Sequence, residues 1–156
     1  KEITPREVRE PMGLCVYGCA RCQTVCPRNL PWLSRERPVN PRVEAKAADF
    51  DLRALLRMDA SYFQSRVWPH MFYMSSSNLW KWKMNVARAM GNSLDEACVP
   101  DLVRAFGESG DERVRGMIAW SLGRIGGTAA KGALERFLAG SEGALRGEIE
   151  AALGRQ

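Results

Sequence analysis

The sequence lacks any apolar run long enough to span a bilayer, which argues against a transmembrane helix. It also lacks a charged-then-apolar leader, so no secretory signal is visible. Histidine is almost absent. The single one, His70, sits beside Pro69 and Met71 with no neighbour that would make it a base, and its reading is structural. Widely spread cysteines are missing too: four of the five fall between positions 15 and 26. A disulfide framework would spread them to close larger loops, so the cluster points to metal in a reducing cytoplasm. The initial methionine is absent as well. The chain begins at Lys1 in mid-pattern, and the expectation is a piece of a longer protein.

What is present is a globular composition. Of 156 residues, 46% are hydrophobic and 26% charged, enough for one moderate core. The formal net charge is +5. The excess is uneven: residues 1–58 hold 11 Lys and Arg against 7 Asp and Glu, and residues 59–156 hold 12 against 11. Such a balance attracts nucleic acid, but equally any polyanion.

Residues 1–34 combine the cysteines with Pro5, Pro11, Gly13, Gly18, Pro27 and Pro31, a turn-rich segment with a short helix expected over Pro5–Glu10. Residues 35–58 read as a polar connector followed by a short helix on Leu52, Leu55, Leu56 and Met58. Asp59 is placed to cap a helix through Tyr62, Phe63 and Val67, which Pro69 ends or kinks. Residues 59–156 then repeat. Val86-Ala-Arg-Ala-Met-Gly-Asn92, Ile118-Ala-Trp-Ser-Leu-Gly-Arg124 and Ile149-Glu-Ala-Ala-Leu-Gly-Arg155 are offset by 32 and 31 residues. Each reads as a helix ending at its glycine in a left-handed cap. Second helical runs follow on Val99, Leu102, Val103 and Phe106, and on Ala133, Leu134, Phe137 and Leu138. Helix pairs at this period predict an α-solenoid, since one pair cannot cover its own apolar face but stacked pairs can. The stretch Asp111–Gly126 resembles a HEAT-like repeat. The predicted fold is all-α: a HEAT-like helical-pair solenoid preceded by a turn-rich, ferredoxin-type cysteine segment. Cys98, alone at a helix start among apolar residues, reads as a buried small hydrophobe.

Iron–sulfur clusters need thiolates that converge from closely spaced positions. The bacterial ferredoxin run is Cys-x2-Cys-x2-Cys-x3-Cys-Pro. Cys19, Cys22, Cys26 and Pro27 match its last three cysteines and the proline. The first ligand would fall at Val16. Cys15, one residue away, is a candidate substitute. In two-cluster proteins the cysteine before proline serves the other cluster, so Cys19 and Cys22 are expected on one and Cys26 on a second, with the remaining ligands upstream. Zinc on four thiolates is an alternative, although zinc ribbons pair two Cys-x2-Cys elements and only one is present. Uncoordinated reduced thiols are another.

Cations and aromatics interleave in Trp80-Lys81-Trp82-Lys83-Met84-Asn85-Val86-Ala87-Arg88. Lysines suit phosphates and tryptophans suit bases. Lys81, Lys83 and Arg88, extended by Arg113, Arg115 and Arg124, form a candidate nucleic-acid stripe. The competing reading makes Trp82 and Val86 core, with the lysines as a solvated flank.

Two motifs together resemble epoxyqueuosine reductase. The first is Met12-Gly13-x-x-Val16-Tyr17-Gly18-Cys19-x-x-Cys22-Gln23-x-Val25-Cys26-Pro27-x-Asn29, and the second Trp82-x-x-Asn85-Val86-Ala87-x-Ala89-Met90-Gly91-Asn92. Two departures stand out: Arg28 replaces the family's usual tryptophan, and Cys15 is extra. The resemblance implies a cobalamin-binding N-terminal domain, a ferredoxin-like domain with two [4Fe–4S] clusters that pass electrons to the cobalamin, and a C-terminal HEAT-like domain. It implies reduction of epoxyqueuosine in tRNA to queuosine. This chain would supply the end of the ferredoxin domain and the HEAT-like domain, with tRNA and an electron-donor protein as partners and no membrane. Cobalamin would be present only if the N-terminal part is of the reductase type, and no catalytic residue is expected here. The alternatives are a ferredoxin–HEAT protein with another substrate or partner, and a HEAT interaction module without a redox role.

Overall fold

The computed structural model describes residues 2–71 and 74–154. Among these residues there are eleven α-helical segments and no strand, so the chain is all-α as expected. The last repeat motif ends on Arg155, outside the described residues.

The first four helices are single turns punctuated by proline and glycine: α1 (Arg6–Arg9), α2 (Arg21–Thr24), α3 (Leu30–Leu33) and α4 (Pro41–Glu44). None is long enough to persist without outside support. The Asp51 carboxylate then accepts from Arg53 N and Ala54 N, both at 3.0 Å, and starts α5 (Leu52–Arg57). Leu55 and Leu56 of α5 enter the core. Asp59 caps α6 (Ala60–Tyr62) through Tyr62 N at 2.7 Å, as its position predicted. The helical path widens to a π-turn over Phe63–Val67 and tightens to a 3-10 turn over Trp68–His70. Two residues explain this. Pro69 has no N–H and crowds the carbonyl four residues back, and Ser65 Oγ donates to Ser61 O at 2.8 Å.

The remainder is a stack of longer helices: α7 (Leu79–Ser93), α8 (Val99–Glu108), α9 (Glu112–Ile125), α10 (Gly127–Ala139) and α11 (Gly143–Leu153). Helices α7, α9 and α11 pack side by side as one layer. Helix α8 lies on α9, α10 lies on α9 and α11, and α5 lies on α7. Leu102, Met117, Ile118, Leu122, Leu134 and Ile149 are fully buried between the layers. Each such side chain contributes about 1.5–3 kcal/mol of burial. The Phe106 and Phe137 rings stack at 3.7 Å, joining α8 to α10. Cys98 caps α8 from a buried position, as expected; burial pushes its thiol up. No described helix is long and apolar enough to cross a membrane.

Two of the three repeat glycines, Gly91 and Gly123, do not end their helices. Helix α7 runs past Gly91 to Ser93 and is capped by Leu94 in the left-handed region at φ 55°. Helix α9 runs past Gly123 to Ile125 and is capped by Gly126. Gly154 does cap α11, but with right-handed φ. The physical reason for Gly91 and Gly123 is close approach. A Cβ on Gly91 would lie 2.7 Å from Ser121 Cβ, and one on Gly123 would lie 2.6 Å from Ala152 O. These glycines let α7, α9 and α11 approach one another, and Ser121 Oγ reaches Ala87 O at 2.7 Å across the first seam.

Candidate functional site

The cysteines lie on a loop shaped by two left-handed glycines, Gly13 (φ 56°) and Gly18 (φ 68°). At Gly18 a Cβ would meet nothing within 4 Å, so its conformation and not space calls for glycine just before Cys19. Cys19 and Cys22 are exposed on either side of the start of α2, and Cys15 and Cys26 are half-exposed. The turn after Cys26 is fixed by Asn29 N and Leu30 N, which donate to Cys26 O at 2.9 and 3.1 Å. Asn29 Nδ2 donates to Gln23 O at 3.1 Å and ties that turn back to α2. None of the five cysteines is in a disulfide. Among the described residues no three His, Cys, Asp or Glu side chains converge as a metal-holding group. The loop therefore presents an open set of soft sulfur donors, of the kind that iron–sulfur clusters and zinc both accept.

This loop is held on the helical stack by buried polar contacts. Arg88 in α7 is 0% exposed. Its Nη1 donates to Gly13 O at 3.2 Å and its Nη2 to Cys15 O, while Nε has no partner. Burial pulls the Arg88 guanidinium below its ordinary range, and negative charge on the Cys15 sulfur would oppose that shift. Asn92, one turn along α7, donates to Arg9 O at 2.8 Å and to Gly13 O at 2.9 Å. Its Oδ1 accepts from Arg124 Nε at 3.1 Å, and Arg124 Nη1 pairs with Glu10 at 3.1 Å. The Tyr17 ring stacks on Trp82, centroids 5.5 Å apart at 16°. At the far side Arg9 reaches Glu148 of α11 and lies 5.9 Å over the Trp120 ring of α9.

The candidate basic stripe is largely engaged in the fold. Arg88 faces inward, as described. Lys83 is half-buried: burial lowers its pKa, while Glu108 and Asp59 raise it. Arg113 pairs with Asp111 and lies 3.5 Å over the Trp80 ring. Its hydrogen bonds hold the Asp111 carboxyl below the usual range. Arg115 Nε donates to Phe106 O at 3.1 Å. Lys81 Nζ lies 5.5 Å from the Trp80 ring. Trp82 and Val86 are core, as the competing reading had it. Asn92, Arg9 and Glu148 escaped the sequence reading as anchoring residues. Only Asn92 carried a signal, as the last residue of the second motif. The Arg9–Glu148 pair spans 139 positions and leaves no local pattern.

Comparison with known proteins places these features. The HEAT-repeat family matches residues 73–154. Epoxyqueuosine reductase of Bacillus cereus is 29% identical over 142 residues, covering 88% of this chain and 36% of that protein. A crystal structure of selenomethionine-labelled epoxyqueuosine reductase superposes with a TM-score of 0.77 at 27% identity, covering 99% of this chain and 41% of that one. A crystal structure of epoxyqueuosine reductase with an epoxyqueuosine-modified tRNA-Tyr stem loop gives 0.76 at 28% identity, with the same coverage. The chain thus spans about a third of the length of the curated epoxyqueuosine reductases it matches, and the structural likeness covers the cysteine segment as well as the helical stack. Residues 73–154 make the chain a member of the HEAT-repeat family, carrying in front of its repeats a cysteine segment similar to that of epoxyqueuosine reductases.

Proposed function

We propose that this chain is the cluster-holding and RNA-docking portion of an epoxyqueuosine reductase-like oxidoreductase of the cytoplasm, acting in queuosine modification of tRNA. The observation that carries the reading is the extent of the structural likeness: it spans 99% of the chain, cysteine loop included. On this reading residues 1–34 belong to a ferredoxin-like unit, residues 35–58 connect, and residues 59–156 form the HEAT-like unit.

The donor set fits a shared iron–sulfur cage. Cys19 and Cys22 would serve one [4Fe–4S] cluster and Cys26 a second, with Cys15 in reserve and the other thiolates supplied by further polypeptide. The surroundings support that division. Leu14, Val25, Leu30, Trp32 and Leu33, all near the cysteines, are exposed, and such apolar side chains suit cover by another protein surface. Bound clusters supply one-electron transfer. The chain's own residues position the loop: Arg88 and Asn92 fix the backbone at Arg9, Gly13 and Cys15, and Tyr17 on Trp82 fixes the approach to Cys19. The relative seen with a tRNA stem loop supports RNA as the partner; an electron-donor protein would be the second.

The test is iron and labile sulfide in the intact protein purified without oxygen. Iron and sulfide in equal amounts are expected, with loss of visible absorbance in Cys22→Ser. Stoichiometric zinc without iron would overturn the reading.

A further inference from the structure

We propose that the cleft lined by Arg42, Val43, Lys46, Ala47, Phe50 and His70 binds one unstacked nucleotide of an RNA loop. The inference rests on the RNA-docking reading above and places the contact on the connector, away from the Lys81–Arg88 stripe.

The cleft has a volume of about 650 Å³, ample for a nucleotide. Its two rings, Phe50 and His70, have centroids 6.0 Å apart and are tilted by 58°. At that separation the two rings touch edge to face, so a planar base stacks on an outer ring face that borders the cleft and not between the rings. Val43 and Ala47 add apolar surface. RNA recognition outside helices depends on such contacts, because unstacked bases offer their π-faces to aromatic and guanidinium planes.

The charges suit a phosphate. Arg42 and Lys46 both line the cleft. Lys46 Nζ lies 3.4 Å from Asp49 Oδ2, and Arg66 Nη1 lies 3.9 Å from the same oxygen, so two cations share that carboxylate. Arg42, Lys46, Arg66 and Asp49 together leave a surplus of two positive charges with His70 neutral. The stripe arginines are held within the fold: Arg88 by carbonyls of the cysteine loop, Arg113 by Asp111 and Arg115 by the Phe106 carbonyl. An apolar, aromatic cleft flanked by cations matches a base joined to a phosphate better than an acidic peptide, whose carboxylates sit on aliphatic stems.

The test is fluorescence anisotropy of a labelled tRNA anticodon stem loop with the chain, titrated at several salt concentrations. The double variant Arg42→Ala/Lys46→Ala is expected to bind roughly tenfold more weakly and to lower the salt slope by about 1–2. His70→Ala is expected to weaken binding of the intact stem loop and to leave an abasic-loop version unchanged. Wild-type binding with unchanged affinity and slope in the double variant would overturn the proposal and leave RNA docking standing elsewhere. No binding by the wild type at low salt would overturn both. Displacement of the RNA by an acidic peptide whose own affinity depends on Arg42 and Lys46 would reassign the cleft to a protein partner.

Discussion

Arg9 holds Glu148 in a two-pronged contact, Nη1 to Oε2 at 2.8 Å and Nη2 to Oε1 at 3.0 Å, joining α1 to α11. The arginine side chain is 1% exposed and the carboxylate 15%. Burial pushes the Glu148 carboxyl up, but the hydrogen bonds and charge of Arg9, with help from Arg6, outweigh it and hold the carboxyl below the usual range. A depressed folded value stabilises the fold above the ordinary glutamate pKa of about 4.3, and that stabilisation is lost as pH falls through the folded value. Glu148→Gln is therefore expected to cost about 2–4 kcal/mol near neutral pH. It should also flatten the loss of stability between about pH 5 and 3. Urea melts at several pH values measure both, and an unchanged acid slope would sink the assignment.

The three small-residue positions of the stack separate by what they face. Gly91→Ala and Gly123→Ala place a methyl group within 2.8 Å of atoms on the next helix, backbone atoms included. Each is expected to destabilise by about 1–3 kcal/mol, exceeding the gain in helix propensity of about 1 kcal/mol. Gly147, inside α11, faces open space. Gly147→Ala is expected to stabilise by about 0.5–1 kcal/mol. Thermal melts of the three variants should therefore shift in opposite directions.

Leu94 caps α7 at φ 55° while 54% exposed. A left-handed leucine costs about 1–2 kcal/mol, and little burial is lost on removing its side chain. Leu94→Gly is expected to gain about 0.5–1 kcal/mol after the glycine's larger unfolded-state entropy is subtracted. A lower denaturation midpoint would contradict this account of the cap.

Arg88→Leu keeps an apolar filler in α7 but releases the carbonyls of Gly13 and Cys15. Amide exchange over residues 10–20 is expected to speed up at least tenfold, with α9 and α11 unchanged. Equal acceleration throughout would mean that Arg88 serves the core generally rather than the cysteine loop.

The helical runs were legible because they depend on local period and on single cap residues. Asp59, Leu55 and Leu56, and the pattern Val99–Leu102–Phe106 occupy their expected places. The glycines were misread because Gly91 and Gly123 answer to Ser121 and Ala152, about thirty positions away, and no local rule sees that far. The inward course of Arg88 was hidden for the same reason. Arg88 falls on a helical face that looks exposed until residues 13–15 fold across it. The cysteine spacing was readable in full, but the contacts holding its loop on the helical stack lie 65 or more positions apart.

Stacked helical pairs in series behave mechanically like a spring, since each pair touches only its neighbours. Here residues 3–15 run across α7, α9 and α11 and are fastened to each, through Asn92, Arg124 and Glu148. A tie of that kind removes the low-frequency stretching and twisting of the array, turning the spring into a strut. Any redox centre carried by the cysteine loop would then keep a constant distance from whatever the helical stack grips, so the rate of electron delivery would not fluctuate with bending of the repeats.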